Sequence, residues 1–281
     1  MLQQSRVIRK ARCSNPMIPA LVQAAVPCPS RQLALILGLF LVFIPRTAPA
    51  YRPFDSTDAD VVEAGKIELE IGPVGYLHST ETHGLFAPSV ILNWGFLPSW
   101  ELVLQGRHLI LLESPPDEPS PKLVETGLFA KGVLRHGSLQ GGTGLSIATE
   151  VGPLLPEING ETGFGLSSAL ILSQRWSAAT VHLNGQVEWS RAHNLDLFSG
   201  VIVEGPYSWP IRPVGELFVE KEFGASHQLS ALLGAIWRAS DTLAFDAGVR
   251  GARKDGLNVI ELRAGLTWDF DLSGAGESHA R

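Results

Sequence analysis

The sequence predicts an all-β fold: a closed, antiparallel, up-and-down transmembrane β-barrel of about 12 strands. Three observations predict it. After residue 50 the hydropathy alternates with period two in segment after segment, with no long amphipathic helical stretch. The last segment sets Ile260, Leu262, Ala264, Leu266, Trp268 and Phe270 on one face and Glu261, Arg263, Gly265, Thr267 and Asp269 on the other. An outward apolar row ending in aromatics, against an inward polar row, is what a tilted strand of about ten residues needs to cross a bilayer. Finally, six of the 7 tryptophans fall at one end of the predicted strands.

The chain is two electrostatic objects. Residues 1–50 contain six bases and no acid, leaving 16 bases against all 28 acids in the remainder, a net of −12. The first object has the form of a secretory signal: a basic region, an apolar run over residues 33–44 (LALILGLFLVFI), and Ala48, Pro49, Ala50 as a small-x-small cleavage site. Cleavage near Ala50 is expected, with Met17 an alternative start. The run is shorter than the roughly twenty residues of a transmembrane helix, which disfavours a retained anchor. Cys13 and Cys28 both lie in this leader, so the remainder has no disulfide, thiolate nucleophile or cysteine metal site.

Residues 51–65 are polar and form an expected periplasmic entry segment; residues 66–270 form the barrel, and 271–281 a polar tail. In the first strand Ile67, Leu69 and Ile71 alternate with Lys66, Glu68 and Glu70. The second sets Phe86, Val90, Leu92 and Trp94 against Ala87, Ser89 and Asn93; the third sets Trp100, Leu102 and Leu104 against Glu101, Gln105 and Arg107, with a tight turn at residues 97–99. The fourth (123–134) opposes Val124, Leu128 and Leu134 to Glu125, Lys131 and Arg135. Strands over 145–151 and 164–172 bracket an Asn159–Gly160 turn. The seventh is the most regular, with Val181, Leu183, Gly185, Val187 and Trp189 alternating with Thr180, His182, Asn184, Gln186 and Glu188. Strands over 195–204, 213–222, 229–237, 243–249 and 259–270 complete the set. The largest outer loops are 76–84, 112–121 and 155–161, and no constriction loop or plug is evident.

An even strand count puts both chain ends on the periplasmic side. Trp94, Trp100, Trp176, Trp209, Trp237 and Trp268 then form an interface belt at that side, while Trp189 falls at the opposite rim. Indole favours the membrane interface, where its ring is apolar and its N–H can be satisfied. A soluble sandwich has no reason to sort tryptophans by strand end.

A charge on the lipid face costs about 2–4 kcal/mol at mid-depth for Arg or Lys, so charges must face inward. The predicted lumen-facing residues are Glu101, Arg107, Glu125, Lys131, Glu150, His182, Asn184, Gln186, Glu188, Glu216, Glu220, Asp246, Arg250, Glu261 and Arg263. They either pair across strands and fill the lumen or line a narrow aqueous path, in which case the acidic excess favours cations or neutral polar solutes. Catalysis is not expected. No G-x-S-x-G elbow occurs, His182 alternates inward, and His78, His83, His136, His193 and His227 fall in loops or at rims. No spacing suggests a metal site, and no cofactor is expected. The net of −12 disfavours nucleic acid as a partner. The expected partners are outer-membrane lipid, the barrel-insertion machinery and a small-molecule solute.

Two resemblances add to this. Arg263, Gly265, Trp268 and Phe270 resemble the C-terminal β-signal that hands bacterial outer-membrane barrels to their insertion machinery, although eleven residues follow Phe270. Arg52, Pro53, Phe54 and Asp55, the first strand over 65–71 and the hairpin over 92–100 resemble the Gram-negative barrel proteins grouped near the meta-pathway phenol-degradation family. That resemblance implies an outer-membrane, channel-like protein for small organic molecules. A closed barrel with a structural or surface-interaction role, and a lipid-modifying enzyme with a Ser and His pair on the lipid side, are the alternatives.

Overall fold

The computed structural model describes residues 53–80, 82–113 and 118–272. The expected signal sequence and its cleavage site lie outside the described residues, as does the tail beyond Leu272. Twelve antiparallel strands close on themselves: β1 (Lys66–Ser79), β2 (His83–Leu97), β3 (Trp100–Leu111), β4 (Lys122–Arg135), β5 (Ser146–Leu154), β6 (Gly165–Arg175), β7 (Thr180–Trp189), β8 (Leu195–Glu204), β9 (Ile211–Glu222), β10 (His227–Arg238), β11 (Leu243–Lys254) and β12 (Leu257–Asp271). Each pairs with its sequence neighbours, and β1 with β12, from Lys66 opposite Asp271 to Ser79 opposite Val259. Closure leaves no free sheet edge, so backbone hydrogen bonding is satisfied within the wall.

Several strands are longer than their hydropathy predicts. β1 and β2 extend through the expected outer loop over 76–84, leaving a short turn closed by a 2.8 Å bond from Ser79 N–H to the Thr82 carbonyl. β11 and β12 likewise run to a two-residue turn, where Asp255 (φ 49°) and Gly256 (φ 87°) are both left-handed, the backbone that matches the twist of a hairpin. The added ends mix apolar and polar residues, Tyr76 and Leu77 beside His78 and Ser79, and a register shift between Ile71 and Val74 breaks the alternation in β1.

The barrel is inverted relative to a soluble protein. Large apolar side chains are exposed on the outer face, among them Leu104, Leu128, Leu183, Leu217, Leu233 and Val249. Glu101, Lys131, His182, Glu216 and Glu261 are buried within. An apolar outer face and a polar interior are what lipid demands. The described chain ends and the β2–β3, β4–β5, β6–β7, β8–β9 and β10–β11 connections share one end, called proximal below. Trp94, Trp100, Trp176, Trp209, Trp237 and Trp268 lie toward that end; Trp189 closes β7 at the distal end.

The interior is not empty. The sequence reading makes residues 51–65 a periplasmic entry segment with no plug; the structure instead threads residues 53–64 through the lumen. Twelve strands about 4.8 Å apart, tilted roughly 40°, close into a cylinder roughly 24 Å across, whereas facing sheets pack solid at about 10 Å. The difference is room for an added chain, which period-two patterning of the wall cannot reveal.

Candidate functional site

The lumen is organised around this inserted segment. Its backbone bonds to inward side chains on several strands of the wall. The amides of Asp55 and Ser56 donate to Glu216 on β9 at 2.9 and 2.7 Å; Thr57 exchanges two bonds with the Asn184 amide on β7; Ala59 N–H donates to Ser173 Oγ on β6 at 2.9 Å; Val62 N–H donates to Glu101 on β3 at 2.6 Å. A segment without strand partners needs such acceptors, because each unsatisfied buried amide costs about 1–3 kcal/mol. Phe54 packs on an inner apolar patch of Val214, Ile236 and Ala244, and Ala59 on Ala148, Ala169 and Ile171.

Inward glycines make the space. A Cβ on Gly95 would meet the carbonyl oxygens of Val62 and Glu63, one on Gly200 would meet Ser56 Oγ, and one on Gly248 would come within 3.2 Å of the Pro53 ring. Glycine at an inward position in three different strands was the available sequence signal for a close backbone approach.

Two charge clusters fix the segment. In the first, Glu261 accepts from three guanidinium groups: Arg107, Arg250 (Nη2, 2.7 Å) and Arg263 (Nε, 3.0 Å). Arg263 also donates to the Pro53 carbonyl (2.7 Å) and to Asp55 (2.9 Å), and Arg107 to Glu125 (3.1 Å). Burial alone would raise the Asp55 pKa, but Arg263 and Arg250 outweigh it and hold it below the usual value. In the second, Lys131 Nζ lies 3.4 Å from Glu101, 3.7 Å from Asp58 and 3.3 Å from Thr57 Oγ1. Glu150 pairs with Lys131 in the β4–β5 register. At Asp60, burial and the neighbouring Asp58 push the pKa up to about 6.

The predicted lumen residues thus fall into separate groups. Arg107, Glu125, Arg250, Glu261 and Arg263 form one cluster, and Glu101, Lys131 and Glu150 another. Glu188 and Glu220 lie farther along, beside Gln186 and Gln228. Asp246 is buried on β11 opposite Gly265. Glu204 and Arg212, paired at 3.0 Å, and Asn93, which holds Glu68 and Glu70, were not among the predicted residues. Asn93 already stands on the polar face of the second predicted strand and Glu204 closes the eighth, whereas Arg212 lies one residue before the predicted start of the ninth, where the inward alternation extends to it.

His182 is buried with Nδ1 2.8 Å from Ser173 Oγ and Nε2 3.4 Å from Glu204. This Ser–His–Glu grouping faces the lumen, not lipid, and Ser173 is covered by the Ala59 amide that it accepts, so a substrate carbonyl has no approach. No group of three metal-ligating side chains able to hold an ion occurs among the described residues.

Beyond the segment, toward the distal end, lies a cavity of about 880 Å³. Arg107 on β3 and Arg250 on β11 stand two strands to either side of β1, while Glu188, Asp196 and Glu220 stand across the ring on β7, β8 and β9. Six acids and four bases line it, a mild acidic excess. A narrower space of about 210 Å³ follows the segment's flank, and a cavity of about 570 Å³ lies beside Asp60, Val62 and His136 toward the proximal end. The lumen is therefore two chambers with a chain between them.

No protein-family model and no curated protein matches this chain. Solved structures do. The COG4313 outer membrane channel from Pseudomonas putida F1 aligns over 77% of this chain and 100% of its own, with TM-score 0.56 at 9% identity. The chain shares the β-barrel fold of that channel. NanC porin aligns over 72% of this chain and 98% of its own, with TM-score 0.52 at 6% identity. At such identities the likeness is one of fold, and side-chain roles rest on the geometry above.

Proposed function

We propose that the protein is an outer-membrane channel for small molecules, with residues 53–64 as its internal obstruction. The observation that carries this is the pair of chambers, about 880 and 570 Å³, on either side of a single inserted chain within a polar wall. A purely structural barrel has no need of such space. The channel and porin neighbours support passage of a solute, and the resemblance to the phenol-degradation barrels implies a small organic one. Polar walls of both signs orient such a solute without holding it tightly, which conduction requires.

The reading includes export behind a signal cleaved near Ala50, the proximal end facing the periplasm, the tryptophan belt in the inner interface, and delivery to the insertion machinery through Arg263, Gly265, Trp268 and Phe270 on β12. The acidic excess of the distal chamber favours cations or neutral solutes there. The second reading is a closed structural barrel, favoured by the segment's bonds to β6, β7 and β9. An enzymatic role is not part of the proposal.

Planar-bilayer conductance decides between them. Discrete, stable steps that grow when residues 53–64 are removed are expected for a channel. Heat-modifiable, folded protein that stays silent with and without the segment would leave only the structural reading.

A further inference from the structure

At the proximal mouth three inward guanidinium groups converge on one aromatic ring. Arg175 at the end of β6, Arg212 near the start of β9 and Arg238 at the end of β10 lie with Cζ 4.0, 5.2 and 5.2 Å from the centroid of Tyr207, in the β8–β9 connection. Cation–π attraction accounts for one guanidinium on a ring. It does not account for three, because like charges at this spacing repel and the ring has two faces.

The carboxylates present do not balance them. Glu204 pairs with Arg212 at 3.0 Å and lies 3.4 Å from His182. Among the described residues, Arg175 and Arg238 form no ion pair. Nε of Arg175 is buried and meets no acceptor, and the Tyr207 hydroxyl has no hydrogen-bond partner among the described residues. The pocket is rich in donors, poor in acceptors, and carries two uncompensated positive charges. It is also held in place from the backbone: Arg175 N–H donates to Ser138 Oγ and Arg238 N–H to the Pro210 carbonyl, each at 2.8 Å.

We propose that Arg175, Arg212 and Arg238, arrayed on Tyr207, form an anion-binding site at the proximal mouth for the phosphate or carboxylate group of a small solute. Planar guanidinium forks match the two-oxygen edge of either group. With the ring faces turned to cations, the anion meets the positive ring edge and the free hydroxyl. The distal arginine cluster differs, since Glu261, Asp55 and Glu125 supply it with carboxylates.

The protein purified from outer membranes in a neutral detergent is equilibrated with radiolabelled inorganic phosphate, with succinate as competitor. A parallel arm offers phosphatidylglycerol vesicles. Saturable phosphate binding is expected, displaced by succinate, weakened about tenfold or more in R175Q/R238Q and unchanged in K221Q, which removes a positive charge from the outer face. The charge-conserving R175K/R238K, checked for heat-modifiable migration, should bind better than the glutamine pair. Equal affinity of wild type and R175Q/R238Q overturns the site, as does vesicle capture without phosphate binding, which would point to a lipid headgroup. The assay reads binding, not conduction: a barrel silent in bilayers that still binds phosphate keeps the site and loses the channel.

Discussion

Replacing Glu261 by glutamine would leave Arg107, Arg250 and Arg263 facing one another without the carboxylate they share. Glu261 is fully buried, so water cannot take its place. Breaking a buried pair by removing one partner typically costs about 3–5 kcal/mol, and the urea midpoint of E261Q should fall accordingly; an unchanged midpoint would mean the cluster is solvated. Neutralising Arg250, which faces the distal chamber, should instead shift reversal potentials toward cations while leaving the fold intact. Gly95 is the other telling residue, because any side chain there meets the carbonyls of Val62 and Glu63. With Cys13 and Cys28 replaced by serine the chain has no other cysteine, so a V62C probe reports on the segment alone. It should resist maleimide in the parent and become reactive when G95L is added, with heat-modifiable migration retained.

At the scale of the element, the inserted segment is held by side-chain acceptors and small apolar patches rather than by a ladder, so it is the part of the lumen that yields with least disruption of the wall. Its docking also carries a pH dependence. The Asp60 pKa is raised from 3.8 to about 6, so the docked form binds the proton more tightly than the released form. Docking is then favoured below the ordinary aspartate value, loses that advantage as pH rises between it and about 6, and is weakest above. Normalised to D60N, the V62C labelling rate should be higher at pH 7.5 than at pH 5. The same trend with and without the D60N change would exclude Asp60 as its source.

At the scale of the whole molecule, closure of β1 on β12 makes the wall a single cooperative unit, whereas the segment lies within it without joining its ladder. Deleting residues 53–64 should therefore enlarge conductance steps while heat-modifiable migration survives. Collapse of the barrel on deletion would mean that the segment is a core rather than an obstruction, because the inner wall would then lack enough contacts of its own. The phosphate-binding mouth should persist in the deletion, since none of Arg175, Arg212, Arg238 and Tyr207 depends on the segment for its contacts with the ring.

The architecture was legible in the sequence because lipid imposes a strict rule on every strand: the rows ending at Phe270 and Trp189 could face only one way, and with the face went the inward position of Glu101, Lys131 and Glu261. The limits of β1, β2, β11 and β12 were not legible, since strict alternation fails near their distal ends, through the register shift between Ile71 and Val74 in β1 and the Arg253, Lys254, Asp255 run at the β11–β12 turn. Which inward charges meet was decided by tertiary structure alone. Arg107 and Glu261 are 154 residues apart and touch only because the barrel's register brings β3 and β12 within side-chain reach across the lumen. The path of residues 53–64 was likewise decided there, because a short polar segment obeys no periodicity and finds its place only once a closed wall offers acceptors, and the gaps left by glycines, to receive it.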